Sequence, residues 1–137
     1  LQTLLGFDFG LQRIGIAVGQ SITRTATALS TIRSRDGRPD WDAISEMIRT
    51  WQPDALIIGL PRQADGEISD LARRIMRFAR QLEGRYHLPV HTIDERLSSR
   101  AASALQNNGE EADDKGTDAV AARIILQDWL DIQCGKE

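Results

Sequence analysis

Apolar residues run almost unbroken from Leu4 to Phe9 and stop at Gly10, and Arg13-Ile14-Gly15-Ile16-Ala17-Val18-Gly19 takes up the pattern after a short gap. Two such runs around a tight turn predict a hairpin. A third β-rich stretch from Ala26 to Ile32 extends it to a three-stranded meander, and the turn residues Ser34-Arg35-Asp36-Gly37-Arg38-Pro39 close it off. The period then changes. Trp41, Ile44, Met47, Ile48 and Trp51 recur at helical spacing behind Asp40, a suitable N-cap, and Pro53 marks the end. Ala55-Leu56-Ile57-Ile58-Gly59-Leu60-Pro61 shows no alternation, as expected of a strand covered on both faces. Ile68, Leu71, Ala72, Ile75, Phe78, Ala79 and Leu82 form the next helical stripe, and a break at Gly84 and His87-Leu88 precedes a strand from Pro89 to Asp94. Ser98 to Gln106 reads as helical, Asn107 to Gly116 is polar, and Thr117 is placed to cap a last helix through about Ile132. The predicted order is β-β-β-α-β-α-β-α-α. It implies an α/β domain over residues 1–137 with a mixed five-stranded sheet, antiparallel in strands 1–3 and parallel thereafter, and helices on both faces.

Composition narrows the class. With 137 residues, 41% hydrophobic and 27% charged, the chain can bury one core without disulfides or a structural metal. No apolar run approaches the roughly 20 residues of a membrane helix. The single cysteine, Cys134, excludes an intramolecular disulfide and a Cys-rich zinc site, which fits a reducing cytosol. The chain opens on Leu1, which reads as a trimmed beginning, and no export signal is expected. A net charge of -3 argues against gripping nucleic acid through the overall field. Local charge can answer this, because Arg13, Arg62, Arg96, Arg100 and Lys115 fall in or beside the loops that carry the candidate chemistry.

Three acidic positions stand out. Asp8 sits near the carboxyl end of an apolar strand, where a buried carboxylate costs several kcal/mol unless paired or bound to a cation; alone, it reads first as a turn residue before Gly10. Asp94 and Glu95 end the last strand, and because adjacent strand residues face opposite sides, one of the two can share a site with Asp8 while the other caps a helix or pairs with Arg96 or Arg100. Asp118 lies in the first turn of the last helix, where the helix dipole already favours a carboxylate. Read together, strand ends and a helix N-terminus can meet at one sheet edge. Oxygen ligands without His or Cys suit Mg²⁺ or Mn²⁺, and two such ions roughly 3.5–4 Å apart serve phosphodiester cleavage. His87 and His91 have no metal-ligand spacing and read as structural. The segment from Gly59 to Gly66 leaves the central strand at the same edge, where Arg62 and Gln63 could contact a phosphate.

Asp8-Phe9-Gly10, Arg13 to Gly19, Gly59-Leu60-Pro61 with Asp65-Gly66, Asp94-Glu95-Arg96-Leu97-Ser98-Ser99, and Lys115 with Asp118-Ala119-Val120-Ala121-Ala122 together resemble the bacterial YqgF family, also called RuvX. The similarity spans nearly the whole chain in order. The resemblance implies an RNase H-like fold, a cytoplasmic protein, and nuclease processing of the 5′ end of the 16S ribosomal RNA precursor. It places the family's acidic positions on Asp8, Glu95 and Asp118, as catalytic residues and as ligands of Mg²⁺ or Mn²⁺, and leaves Asp94 for support. Arg13, Arg62, Gln63, Arg96 and Lys115 are then the expected substrate contacts. The chain departs from the family in having Leu11-Gln12 where Thr with Lys or Arg is frequent, and Arg62-Gln63 where Leu-Asn is frequent.

Two other functions use the same features. A Holliday junction resolvase would keep the ligands and act on four-way DNA, normally as a symmetric dimer. A non-catalytic module binding nucleic acid or the transcription machinery would keep the fold and little metal affinity. The expected partners are therefore pre-rRNA ahead of four-way DNA, with a ribosomal precursor particle as host, and a monomer or a homodimer is compatible with the sequence. Sugar kinases and actin-like ATPases share the Asp-x-Gly turn, but they close two such domains over a nucleotide, and 137 residues make one.

Overall fold

The meander, two crossover units and a final helix form as the periodicity predicts, with one additional strand. A computed structural model of the chain describes residues 2–35, 38–60, 70–94 and 116–134. Within these, β1 (Thr3–Phe9), β2 (Arg13–Gln20), β3 (Thr25–Arg35), β4 (Arg38–Pro39), β5 (Ala55–Leu60) and β6 (Val90–Asp94) make a sheet of order β4-β3-β2-β1-β5-β6. The helices are α1 (Trp41–Trp51), α2 (Asp70–Tyr86) and α3 (Gly116–Cys134). β1 pairs antiparallel with β2 and β2 with β3, while β1–β5 and β5–β6 are parallel.

The sheet thus has six strands, not five. The stretch from Ser34 to Pro39, expected only to end the meander, continues β3 to Arg35 and returns as β4, with Ser34 opposite Pro39 and Arg35 opposite Arg38. Asp36-Gly37 between them is a strong hairpin dipeptide. Pro39 is tolerated because β4 is an edge strand. The other correction concerns the last helix. It begins at Gly116 and runs to Cys134, so Thr117 lies inside the first turn instead of capping it. The expected helix from Ser98 to Gln106 falls outside the described residues.

Strand alternation divides the core in two. Leu5, Phe7 and Phe9 of β1, Ile14, Ile16 and Val18 of β2, and Leu56 and Ile58 of β5 face α1 and α2, where they meet Ile44, Ile75, Phe78 and Leu82. Leu4, Ala17, Ala55 and Ile57 face the other way, onto Ala122, Ile125, Leu126 and Leu130 of α3. Helices therefore cover both faces. Phe78 is the hub of the first layer, with its ring 5.7 Å from Phe7, 5.0 Å from Phe9 and 5.8 Å from Trp41. α1 starts as its sequence predicts: the Asp40 carboxylate accepts from the Ala43 N–H, and Gln52 closes the helix in the left-handed region at φ 46°.

Local polar contacts fix the ends of these elements. Gln127 of α3 accepts from the Ala26 N–H at 3.0 Å and donates to the Arg24 carbonyl at 2.8 Å, tying the helix to the turn between β2 and β3. His87 ends α2 at φ 58°, its N–H donating to the Glu83 carbonyl, and the His91 ring stacks on Trp129 with centroids 4.8 Å apart. Both histidines therefore sit in structural contacts. At the opposite end, the buried Ser34 hydroxyl reaches the carbonyls of Gly10 and Leu11 at 3.0 and 2.8 Å, and its N–H donates to the Gln12 carbonyl. One serine thereby holds the β1–β2 turn against β3. Ser34→Ala should destabilise the domain by about 1–3 kcal/mol, the cost of removing a partner from buried polar groups, read as a lowered urea midpoint with an unchanged slope.

Candidate active site

Asp8 lies one residue before the end of β1 and is half-buried. Alternation from Leu4 and Gly6 puts it on the α3 side of the sheet. Its partner across the β1–β2 ladder is Gly15, and cross-strand partners share a face. Gly15 has no side chain to fill the space above it, and the first turn of α3 occupies that space. A Cβ built on Gly15 would stand 1.8 Å from the Asp118 carbonyl oxygen, 2.1 Å from the Asp118 carbonyl carbon and 2.7 Å from the Ala119 nitrogen. The backbone of Asp118 therefore rests directly on the residue paired with Asp8, which brings a strand-end carboxylate and a helix-start carboxylate to one place.

The approach continues along α3. Gly6 would place a Cβ 2.9 Å from the Leu126 Cβ, and Gly19 would place one 2.9 Å from the end of Leu126. Gly6, Gly15 and Gly19 with Ala17 form a stripe of small residues on which the helix lies flat. Arg13, the first residue of β2, completes the cluster: its Nε is 3.0 Å from the Asp118 carboxylate. Arg13 is two-thirds exposed and Asp118 about one-third, so this pair adds little stability. Its effect is to orient the Asp118 side chain and to keep a guanidinium beside that carboxylate.

Of the residues expected from sequence, the structure brings Asp8, Arg13 and Asp118 together. Glu95, Arg96, Arg62, Gln63, Lys115 and Arg100 lie outside the described residues. Asp94 ends β6 in register with Leu60 of β5, so the chain runs on to Glu95 from the strand next to β5 at the edge where β1 also ends. Among the described residues, no group of three or more His, Cys, Asp or Glu side chains gathers in a metal-binding arrangement. Asp8 and Asp118 supply two carboxylates, with neither His nor Cys in the cluster. That donor set fits a hard divalent cation, which takes oxygen ligands and retains several waters.

Two features go beyond the sequence reading. Gly15 reads there as part of an apolar strand, and its small-residue periodicity with Ala17 and Gly19 is the signal in the sequence that a helix packs on it. Arg33 of β3 carries no motif, yet it is the ladder partner of Arg13 and so stands on the same face. Like charges opposite one another are unfavourable unless an anion lies between or near them, and Asp118 supplies one for Arg13.

The chain resembles known proteins in family and in fold. The RuvX family model, described as Holliday junction resolvase, matches residues 2–132. A relative from Saccharophagus degradans named "Putative pre-16S rRNA nuclease" is 48% identical over 132 residues, covering 93% of this chain and 92% of the relative. One of the same name from Hydrogenovibrio crunogenus is 45% identical, covering 93% and 92%. Among solved structures, T. thermophilus RuvC in complex with Holliday junction substrate superposes with a TM-score of 0.58 at 16% identity, covering 98% and 97% of the two chains. The Fowlpox virus resolvase in its complex with Holliday junction DNA gives 0.57 at 12% identity, covering 96% and 98%. These last two establish the fold, that of RuvC-like RNase H resolvases.

The contact at Gly15 is testable against a control in the same chain. Gly15→Ala should destabilise the domain by about 1–3 kcal/mol or more, because backbone rather than a mobile side chain must move. Gly84→Ala, in α2 with nothing within 4 Å of the added methyl, should stabilise it by about 0.4–1 kcal/mol. Chemical denaturation of the two variants beside the parent protein reads both.

Proposed function

The chain belongs to the RuvX family, and from that premise we propose that it is a divalent-metal-dependent nuclease that processes the 5′ end of the 16S rRNA precursor in the cytoplasm, with Asp8, Glu95 and Asp118 as its acidic residues. Hydrolysis of phosphodiester bonds is the activity that the names of its relatives and its family share. The observation that carries the residue assignment is the meeting of Asp8 and Asp118 across Gly15. For Glu95, which lies outside the described residues, the support is the family resemblance and its place in the sequence directly after Asp94, the last residue of β6.

One or two Mg²⁺ or Mn²⁺ ions bound by these carboxylates would supply charge neutralisation at the scissile phosphate and an activated nucleophile. The protein's own contribution is position. Asp8 is fixed by seven paired ladder positions of β1 on β2, and Asp118 by a helix that cannot slide without its backbone leaving Gly15. Placing ligands on regular elements in this way holds them more tightly than loops would. Arg13 holds Asp118 through Nε, and its exposed guanidinium lies where it can meet a phosphate oxygen. Arg62, Gln63, Arg96 and Lys115 are proposed as further substrate contacts, and a ribosomal precursor particle as the setting.

The family's description supports a second reading, resolution of four-way DNA junctions. The relatives at 42–48% identity favour the rRNA precursor. Resolution would require paired cuts by a symmetric dimer, so the two readings separate on assembly state as well as on substrate.

Purified protein incubated with precursor rRNA and with a four-way junction, in Mn²⁺, Mg²⁺ or EDTA, tests the proposal. Cleavage of the RNA should require metal. Asp8→Asn, Glu95→Gln and Asp118→Asn should each reduce it by roughly 100-fold or more, beyond what loss of a merely supporting residue costs, with melting temperatures close to the parent's. Asp8→Asn cutting at the parental rate would overturn the assignment. Arg13→Ala should change stability by less than about 1 kcal/mol while slowing cleavage, as measured by the same assay and by thermal unfolding.

A further inference from the structure

The opposite face of the sheet carries a second charged feature that the carboxylate site does not use. A concavity of ≈ 620 Å³ lies between the β3–β4 hairpin, the start of α1 and α2, lined by Arg38, Arg74 and Arg77 together with the rings of Phe9, Trp41 and Phe78. A second, of ≈ 660 Å³, adjoins it at the β3–β4 edge of the sheet, sharing Arg38 and Pro39; Arg33 and Arg35, which also line it, alternate onto the Arg13 side. Among the described residues, Asp40 is the one carboxylate lining either, and it is engaged in capping α1. α2 alone carries five arginines against Asp70 and Glu83, in a chain whose net charge is -3. Arg38, Arg74 and Arg77 thus make this groove positive against the sign of the whole, and a groove lined by one sign of charge concentrates an oppositely charged ligand.

We propose that this arginine groove binds the phosphodiester backbone of a single-stranded RNA segment flanking the one held at the carboxylates. The inference rests on the nuclease reading for its choice of polyanion. Continuity with the site supports it: Phe9 lines the groove and follows Asp8 directly in β1, their Cα atoms about 3.8 Å apart and their side chains on opposite faces. The groove and the carboxylates therefore share one end of the sheet. Ser34, opposite Pro39 in the β3–β4 pairing, is bonded to the turn that follows Asp8, so the hairpin that carries Arg38 is held in place relative to the site.

The aromatic rings do not offer a stacking platform. Arg85 covers Trp41 at 4.0 Å from the ring centroid, Phe78 packs against it, and Phe9 and Phe78 are themselves buried. Recognition is consequently of phosphate rather than of bases, and it is independent of sequence.

The test is binding of single-stranded RNA of about 20 nucleotides, longer than the roughly 4–16 nucleotides that one OB fold binding a single strand covers, in EDTA over a series of salt concentrations. Cleavage plays no part in this readout, so failure of the metal-site reading leaves it intact. Arg38→Ala/Arg77→Ala should bind several-fold more weakly than the parent and lower the slope of log K against log salt by about 1.4, at ~0.7 for each phosphate of a single strand that is no longer neutralised. Arg24→Ala/Arg49→Ala, which removes the same charge elsewhere, should leave the slope unchanged, and Arg38→Lys/Arg77→Lys should retain most of it. U-rich and A-rich RNAs should bind alike. Parental affinity and slope in Arg38→Ala/Arg77→Ala, or no RNA binding by the parent protein in EDTA, would overturn the proposal.

Discussion

The backbone of Asp118 lying on Gly15 is the contact on which the rest of the arrangement depends. A helix normally stands off a sheet by the thickness of two layers of side chains. Here the sheet contributes Gly6, Gly15 and Gly19 along the line of contact, and the helix comes down onto the strands themselves. The close approach has two effects. It aligns Ala122, Ile125, Leu126 and Leu130 on the Leu4, Ala17, Ala55 and Ile57 face, which buries an apolar layer. It also delivers the first turn of α3, with its carboxylate, to the ladder partner of Asp8. Stability and the assembly of the acidic cluster are therefore set by one contact, and any side chain at Gly15 disturbs both.

The distribution of charge follows from the same layering. β1 ends in Asp8-Phe9, and alternation sends one residue to the α3 face and the other to the α1/α2 face. Asp8 and Asp118 meet on the first face, with Arg13 beside Asp118 and Arg33 opposite Arg13 in the ladder, while Arg74 and Arg77 of α2 lie with Arg38 along the groove on the second. A net charge of -3 conceals this separation. It is a poor guide to whether a protein of this kind meets a polyanion, because the ligand responds to the local field within about 8–10 Å at ordinary salt.

Much of this is legible in the residues. The period changes at Asp40, Ala55 and Pro89 locate α1, β5 and β6 to within a few positions because each segment buries a face and must show its repeat. The β3–β4 hairpin escapes a periodicity reading because Arg38-Pro39 is too short to show any period, although Asp36-Gly37 announces a turn. Thr117 reads as a cap because it is a preferred residue type at such a position, whereas the helix starts one residue earlier, at Gly116. Asp8 and Asp118 are identifiable as candidates, but each alone has an ordinary explanation as a turn or dipole residue. Their meeting depends on the absence of a side chain at Gly15, which sequence pattern does not register as a contact. The arginine groove joins residues of β4 and α2, which lie far apart in the chain, and only the fold unites them.

The central claim is that Asp8, Glu95 and Asp118 form a divalent-cation site, and direct titration tests it without reference to any substrate. Mn²⁺ titrated into the protein, followed by calorimetry or by the loss of its free electron paramagnetic resonance signal, should show saturable binding that Asp118→Asn removes or greatly weakens. No binding at millimolar Mn²⁺, with nucleic acid present, would contradict the account and favour a fold retained for binding alone.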